Sequence, residues 1–324
     1  MVRVTREKLI DLAREETERR SHTEDVISGY LIGSVARGKP LIDGTADIDL
    51  ILIHQYEPAR HREFIPLSEN IHLDIFHHHS DLYAHPPDLR IHPWLGPSIC
   101  EPIFLHDPDH FFERAQAGVR GQFYQIDNIH ARSTTFLERA RCFKKDMTDD
   151  HSWIANYTKS ILESVNALVS LDGFPVAGRR MAVVLRDRLK DMGFEEHFIT
   201  FQKLLGGDCL HATQLHDWLL AWEGAFDAAG NLSPAFLPVR KNYFRHAFRN
   251  LIDSENFESV LWNLITTWNQ AIEILGNTSE AAPYEIRWMD VRTQLGIAPE
   301  SRELREAELE HYLDNIEVIV ENWL

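Results

Sequence analysis

The pattern of apolar residues changes once along this chain of 324 residues, and that change limits the folds available to it. Before about residue 125, short runs rich in β-branched and aromatic residues are typical of strands. After it, apolar residues recur every three or four positions, which is typical of helices that bury one face. The sequence therefore predicts an α+β fold with two domains. A mixed sheet with flanking helices would form over 1–125, and an all-helical domain over 126–324.

The individual elements can be predicted from the same periodicities. In the first domain, we expect one helix over 5–20 and strands over 26–33, 47–53, 71–76 and 102–107. The proline-rich segment 86–97 is expected to form an irregular loop. In the second domain, we expect helices over 129–147, 152–171, 176–191, 211–227, 255–275 and 300–323.

Charge and composition exclude several classes of protein. The chain has 33 basic and 50 acidic residues, a net charge of −17, which disfavours nucleic acid as a partner because phosphate contacts need a basic surface. Every 18-residue window contains a charged residue, so no membrane-spanning helix is expected. The N-terminus lacks the apolar core of a signal peptide. Cys100, Cys142 and Cys209 are odd in number and far apart, so neither a disulfide framework nor a CxxC zinc site is indicated. We therefore expect a cytoplasmic protein without a membrane partner.

Two aspartates share one face of the second predicted strand. In DIDLILI (47–53), alternation places the aliphatic residues 48, 50 and 52 on one face and Asp47 and Asp49 on the other. Aspartate is depleted from strands, and two neighbouring unpaired carboxylates repel each other. A hard divalent cation such as Mg²⁺ would relieve this repulsion while binding the phosphate oxygens of a substrate.

A third aspartate is expected beside this pair. In IHLDIF (71–76), the aliphatic residues again share one face, which puts Asp74 on the opposite one. If the two strands bury their apolar faces in the same core, Asp74 joins Asp47 and Asp49. Three converging carboxylates suit a phosphoryl-transfer site with two metal ions about 3.5–4 Å apart.

The turn after the first strand contains Gly33 and Ser34. Gly33 permits close approach of the backbone to a ligand, and Ser34 offers a hydroxyl and an amide to a phosphate. Arg37 follows one turn later and is expected to reach an anionic oxygen.

These residues together resemble a known signature. A GS pair, twelve residues, DIDL and then LDIF resemble the motif of the DNA polymerase β-like nucleotidyltransferase superfamily. IGSVARG followed by ADIDL is similar in particular to small bacterial and archaeal nucleotidyltransferases, among them the aminoglycoside, lincosamide and antitoxin-type enzymes. The resemblance covers about residues 20–110, and the helical remainder is similar to the antibiotic-modifying members only in general character. One departure is Ala46, where the family often has serine.

The resemblance implies a site and a reaction. Gly33 and Ser34 would hold the triphosphate, Asp47 and Asp49 would bind Mg²⁺, and Asp74 would complete the metal site and help to deprotonate an acceptor hydroxyl. The expected enzyme moves a nucleoside monophosphate, with ATP as the first choice of donor, onto that hydroxyl and releases pyrophosphate.

The acceptor stays open at this point. A cationic small molecule such as an aminosugar would suit an acidic cleft, and the helical domain is expected to build its pocket. A protein side chain, as in antitoxins that modify a toxin, is the alternative, and a tRNA end ranks third. A non-catalytic interaction module that kept the fold is the hypothesis from another class.

Four further features are candidates for a functional role, namely the histidine run 77–79 for metal binding, Arg179 and Arg180 for triphosphate binding, and Glu163 as a base. Each is given a structural interpretation instead. The run 77–79 of three histidines is expected to be a loop after a strand, because consecutive residues cannot all face one ion. We expect Arg179 and Arg180 to form salt bridges on the surface, and Glu163 to lie on a solvated helix face.

Overall fold

The computed structural model describes residues 4–38, 43–207, 210–276 and 278–323. The chain divides into two compact units. The first, here called the sheet unit, comprises Met1–Asn128 with Leu237–His246. The second, the helical unit, comprises Ile129–Phe236 with Ala247–Leu324. The sheet unit thus includes a short segment from the second half of the chain, which a division after residue 125 does not anticipate.

The sheet unit contains all the strands of the described residues, as the change of pattern predicts. These strands are β1 (Val26–Leu31), β2 (Ala46–His54), β3 (Arg62–Pro66), β4 (Ile71–His79) and β5 (Ile103–His106). The helices that lie wholly within residues 4–128 are α1 (Arg6–Thr23), α2 (Gly33–Ala36), α3 (Pro86–Ile91), α4 (Leu95–Cys100) and α5 (Phe111–Arg120), with a 3₁₀ turn at Ser80–Tyr83. The predicted α+β class is confirmed.

The sheet is mixed, with the strand order β3-β4-β2-β1-β5. The two central strands β2 and β4 run parallel, from the pair Ala46 and Ile71 to the pair His54 and His79, and the other neighbours are antiparallel. This register brings the start of β2 beside the start of β4. Residues that the sequence separates by more than twenty positions therefore share one end of the sheet.

One face of the sheet is packed against α1. Leu9 and Ala13 of the helix are fully buried against the aliphatic residues of β2 and β4, including Ile48, Leu50 and Leu73. Since side chains alternate along a strand, this packing leaves Asp47, Asp49 and Asp74 on the opposite face. The face assignment made from the sequence therefore matches the strands as they are paired.

The helical unit is built from long helices around large aromatic side chains. The fully buried residues include Trp153, Trp218, Trp222 and Trp268. Its helices are α6 (Ile126–Lys145), α7 (Asp150–Val169), α8 (Met181–Asp191), α9 (Glu195–Leu204), α10 (Ala212–Gly230), α11 (Pro238–Asp253), α12 (Phe257–Leu275), α13 (Ala282–Gln294) and α14 (Arg302–Asn322). Two of these helices are shared with the sheet unit, because α6 begins there and residues 238–246 of α11 belong to it. Within the described part of the chain, no helix has the length and apolarity needed to cross a membrane.

Several local predictions were wrong. Segment 86–97 is not an irregular loop, because α3 starts at Pro86, and proline is well tolerated in the first turn of a helix. The histidine run 77–79 is not a loop either, since β4 continues to His79. The strand β3 and the helices α5, α9, α11 and α13 were not predicted.

Two charged residues of the helical unit are more buried than expected. Glu163 is 4% exposed and accepts two hydrogen bonds from Arg139, the shorter at 2.8 Å, so its placement on a solvated face was wrong. Arg179 is 5% exposed, so its placement on the surface was also wrong. Arg180 is partly exposed and directly precedes α8.

Candidate active site

Three carboxylates lie on one face of β2 and β4. Asp49 and Asp74 are direct partners in the parallel register, and Asp47 lies one alternation earlier on β2, opposite His72. Asp74 is 5% exposed, and Asp47 and Asp49 are partly exposed. The structure therefore brings the three sequence-predicted aspartates to one patch, which we call the aspartate cluster. Their role in metal binding and catalysis stays a prediction.

The central carboxylate, Asp49, is electrostatically strained. Burial, together with the negative charges of Asp47 and Asp74, raises the pKa of Asp49 well above its ordinary value. Arg37 and Arg62 oppose this rise without cancelling it. A carboxylate in this position is stabilised by any additional positive charge, which is the condition that a divalent cation satisfies.

The third carboxylate, Asp74, is held by an arginine from the neighbouring strand. Arg62 on β3 donates from Nε to Oδ1 at 2.8 Å and from Nη2 to Oδ2 at 2.6 Å. Its guanidinium also lies 4.8 Å and 4.6 Å from the ring centroids of Phe64 and Phe76. Burial lowers the pKa of Arg62, but the hydrogen bond to Asp74 and its negative charge raise it, and the net effect is a raised pKa. This bidentate pair fixes the orientation of Asp74 and adds a positive charge to the aspartate cluster.

A segment far along the chain contributes to the same patch. The hydroxyl of Tyr243 on α11 donates to Oδ2 of Asp47 at 2.6 Å. The guanidinium of Arg240, one turn earlier, lies 4.1 Å from the centroid of Phe64, and burial lowers its pKa. These contacts explain why residues 237–246 belong to the sheet unit.

The glycine–serine turn lies against Asp49. Gly33 has φ 71°, and a Cβ built on it would approach Oδ2 of Asp49 to 1.8 Å. Only glycine fits this position, since both the backbone angle and the space exclude a side chain. The backbone N–H of Ile32 donates to the carbonyl of Asp49 at 3.0 Å, which fixes the turn to β2.

Ser34 in this turn carries a polar atom that the described residues leave unsatisfied. Its Oγ is buried and has no hydrogen-bond partner among them. A buried hydroxyl without a partner costs free energy unless a ligand or a water satisfies it. The carbonyls of the two following residues, Val35 and Ala36, accept from Arg6 of α1 at 2.8 Å and 2.7 Å, so the turn is held from below. Arg37 is exposed at its end.

The donors of this patch fit Mg²⁺, although the carboxylates are not drawn together. Carboxylate and phosphate oxygens are the ligands that Mg²⁺ prefers, and the buried Oγ of Ser34 has no hydrogen-bond partner among the described residues. Over the described residues, however, the group whose ligand atoms all lie within 4.8 Å of one another is Glu24, His54 and His77, on other parts of the sheet unit. Binding by all three aspartates would require their carboxylates to turn toward one another.

Sequence reasoning missed three residues of this site. Arg62 lies in a polar stretch that shows no clear alternation, and Arg240 and Tyr243 lie in a helix that was not predicted. The one available signal for Arg62 is its chemistry, because a buried carboxylate on a strand requires a partner.

Comparisons with known proteins do not identify the chain. No model of a protein family matches it. No curated protein matches it significantly.

Proposed function

We propose that the protein is a Mg²⁺-dependent nucleotidyltransferase that uses ATP or another nucleoside triphosphate. The observation that carries this proposal is the aspartate cluster beside the turn of Gly33 and Ser34. Asp49 and Asp74 are register partners, and Asp49 contacts the one residue of the turn that must be glycine. A purely structural pair of strands has no need of three aspartates on one patch. The negative charges of Asp47 and Asp74 help to raise the pKa of Asp49, and a bound cation would relieve that repulsion.

Each residue of the patch has a role in this reaction. Asp47, Asp49 and Asp74 would hold Mg²⁺, which when bound neutralises charge on the phosphate oxygens. Ser34 would donate its free Oγ–H to a phosphate oxygen, and Arg37 would face the same anion. Tyr243 orients Asp47, and Arg62 orients Asp74.

The transfer itself is a displacement at the α-phosphorus. An acceptor hydroxyl gives its proton to Asp74 as its oxygen forms a bond to the α-phosphorus. The bond between that phosphorus and the bridging oxygen breaks, and pyrophosphate leaves with the bonding electrons. The protein contributes chiefly by positioning and by charge stabilisation.

The acceptor is proposed to be a small molecule with a hydroxyl and a positive charge, because the chain has a net charge of −17. A protein side chain is the alternative acceptor. Nucleic acid is disfavoured by the same net charge.

One observation favours a second candidate, a non-catalytic interaction module with this fold. The Arg62–Asp74 pair already gives both oxygens of Asp74 a charged partner, as in a purely structural ion pair. Each carboxylate oxygen accepts more than one hydrogen bond or ligand, so the pair leaves room for a cation but does not require one.

The two candidates differ in a direct assay. The full chain is incubated with Mg²⁺ and each of four labelled nucleoside triphosphates, alone or with a panel of hydroxylated amines. Label transfer and pyrophosphate release are then measured. If the protein is a nucleotidyltransferase, we expect both. We also expect the rate of label transfer to fall by about 10³-fold or more in the double variant Asp47→Asn/Asp49→Asn.

The matched control removes a carboxylate elsewhere in the sheet unit. Asp81 is 87% exposed at its side chain, so Asp81→Asn is expected to react like the wild type. Label on the protein itself would favour a protein acceptor. If the wild type binds no nucleotide and the double variant behaves identically, the interaction module is the better account.

A further inference from the structure

Two buried histidines face each other near the far ends of β2 and β4. Nε2 of His54 lies 2.8 Å from Nδ1 of His77, and the two residues are 3% and 4% exposed. Both lie on the face packed against α1, opposite to the aspartate cluster. Since a strand rises about 3.3 Å per residue, His54 is about 16 Å along β2 from Asp49. This pair therefore belongs to a separate place in the fold.

The outer nitrogen of each ring is bonded to a carboxylate. Nδ1 of His54 lies 3.0 Å from Oδ1 of Asp25, and Nε2 of His77 lies 3.0 Å from Oε1 of Glu63. Asp25 also accepts from the backbone N–H of Tyr56 at 2.9 Å. An ionised carboxylate only accepts hydrogen bonds, so both outer nitrogens must carry their protons.

This bonding leaves the inner nitrogens without protons. A neutral imidazole carries one N–H, and in both rings it is used by the carboxylate. Two nitrogen lone pairs would then face each other at 2.8 Å, which is repulsive unless a cation lies between them. The cation is either one extra proton or a metal ion.

We propose that His54 Nε2, His77 Nδ1 and Glu24 bind one divalent transition-metal ion of the zinc class. The ligand atoms of these three residues all lie within 4.8 Å of one another. Two imidazoles and a carboxylate form a typical zinc ligand set that keeps a fourth position open. A zinc–nitrogen distance of about 2.0–2.1 Å places two tetrahedral ligands roughly 3.3 Å apart, so the rings would separate by about half an ångström.

The surroundings match those of a metal site. Asp25 and Glu63 are carboxylates that orient the ligating histidines through their outer nitrogens, the arrangement that fixes a metal-binding tautomer. Mg²⁺ prefers oxygen ligands, so this nitrogen-rich set is distinct in chemistry from the aspartate cluster.

The charges around the pair also admit a divalent ion. Glu16, Glu24, Asp25 and Glu63 carry four negative charges close to it, and the positive charges are those of Arg19, Arg20 and Arg60. Arg20 bonds Glu24 at 3.1 Å, and this contact must share the Glu24 carboxylate with the ion. A cavity of about 520 Å³, lined by Glu24, His54 and His77 among others, provides access.

The test is zinc binding by the untagged full chain, stripped of metal and titrated with Zn²⁺ against a competing chelator. We expect one tight zinc ion per chain, a higher melting temperature with zinc, and a visible absorption spectrum of tetrahedral type with Co²⁺. His54→Gln and His77→Gln should weaken binding by more than about 100-fold, and Asp25→Asn by about 10–100-fold.

Two further variants separate ligation from folding. Glu24 has 36% of its side chain exposed, so Glu24→Gln is expected to fold normally and still weaken zinc binding by at least about 10-fold. His61 is exposed nearby, and His61→Gln should bind zinc like the wild type.

Three results would overturn the proposal. The first is that the wild type binds no more zinc than the double variant His54→Gln/His77→Gln. The second is that Glu24→Gln binds zinc as tightly as the wild type. The third is a Co²⁺ absorption spectrum of octahedral type. A proton shared by the two imidazoles would then be the better account.

Discussion

The two ends of β2 and β4 differ in the groups that surround their carboxylates. At the start of these strands, Asp47, Asp49 and Asp74 lie together, and the pKa of Asp49 is raised by burial and by its two neighbours. Near their end, the carboxylates next to the histidines have cationic or imidazole partners: Glu63, for example, bonds Arg20 at 2.6 Å and Arg60 at 3.1 Å. The first patch offers only oxygen ligands to a cation, which suits Mg²⁺. The second adds two imidazole nitrogens to its carboxylates, which suits an ion of the zinc class.

The largest expected effect comes from filling the space next to Asp49. Gly33→Ala would place a Cβ 1.8 Å from Asp49 Oδ2, so the carboxylate must move, and we expect nucleotide binding to fall by at least about 100-fold. Gly38 has a similar φ of 80° but no atom within 4 Å of a built Cβ. Gly38→Ala should therefore cost only about 1 kcal/mol of stability and keep nucleotide binding. Equal losses in the two variants would contradict the role of the turn.

The second effect is a pH dependence of stability that comes from His78, near the end of β4. Burial, with the nearby histidines, lowers the pKa of His78 to about 4, and its Nδ1 is bonded to the hydroxyl of Tyr83 at 2.7 Å. Because the folded pKa is below the ordinary value of 6.5, the folded state prefers neutral His78. The contribution of neutral His78 to the free energy of unfolding is complete above pH 6.5 and is lost as pH falls toward 4. This contribution is roughly 3 kcal/mol at most.

Chemical denaturation between pH 4 and pH 7 measures this contribution. His78→Gln should remove part of the pH dependence of the unfolding free energy in this range. Identical slopes in the variant and the wild type would show that His78 titrates equally in the folded and unfolded chains.

The smallest effect compares two arginines of the sheet unit. Arg62→Gln removes the bidentate partner of buried Asp74, and we expect a loss of about 1–2 kcal/mol, reduced because 46% of the Arg62 side chain is exposed. Arg60 is 64% exposed and bonds Glu63, so Arg60→Gln should cost less than about 1 kcal/mol. Thermal unfolding measures both, and an Arg60 variant that is less stable than the Arg62 variant would reverse the comparison.

The sequence predicts the start of β2 well because one physical rule governs it. Strict alternation places Asp47 and Asp49 opposite the aliphatic residues, and β4 follows the same rule around Asp74. The pairing of these strands then follows from burying one apolar face. The α+β class and the limit of the strands to the first part of the chain have the same origin.

The partners of the aspartates could not be predicted in this way. Arg62 lies on β3, a short edge strand without clear alternation, and Tyr243 reaches Asp47 from 196 positions further along the chain. Such contacts depend on tertiary packing, which local periodicity does not encode. The same limit hid the His54–His77 pair, because only the pairing of β2 with β4 brings His77 to His54.

Calorimetric titration of the protein with ATP, in the presence and absence of Mg²⁺, tests whether the aspartate cluster binds a nucleotide. We expect one Mg²⁺-dependent site per chain, absent from Asp47→Asn/Asp49→Asn and retained by Asp81→Asn. The other nucleoside triphosphates follow in the same format. If none of them binds the wild type, or if the double variant binds as tightly as the wild type, the aspartate cluster is not a nucleotide site.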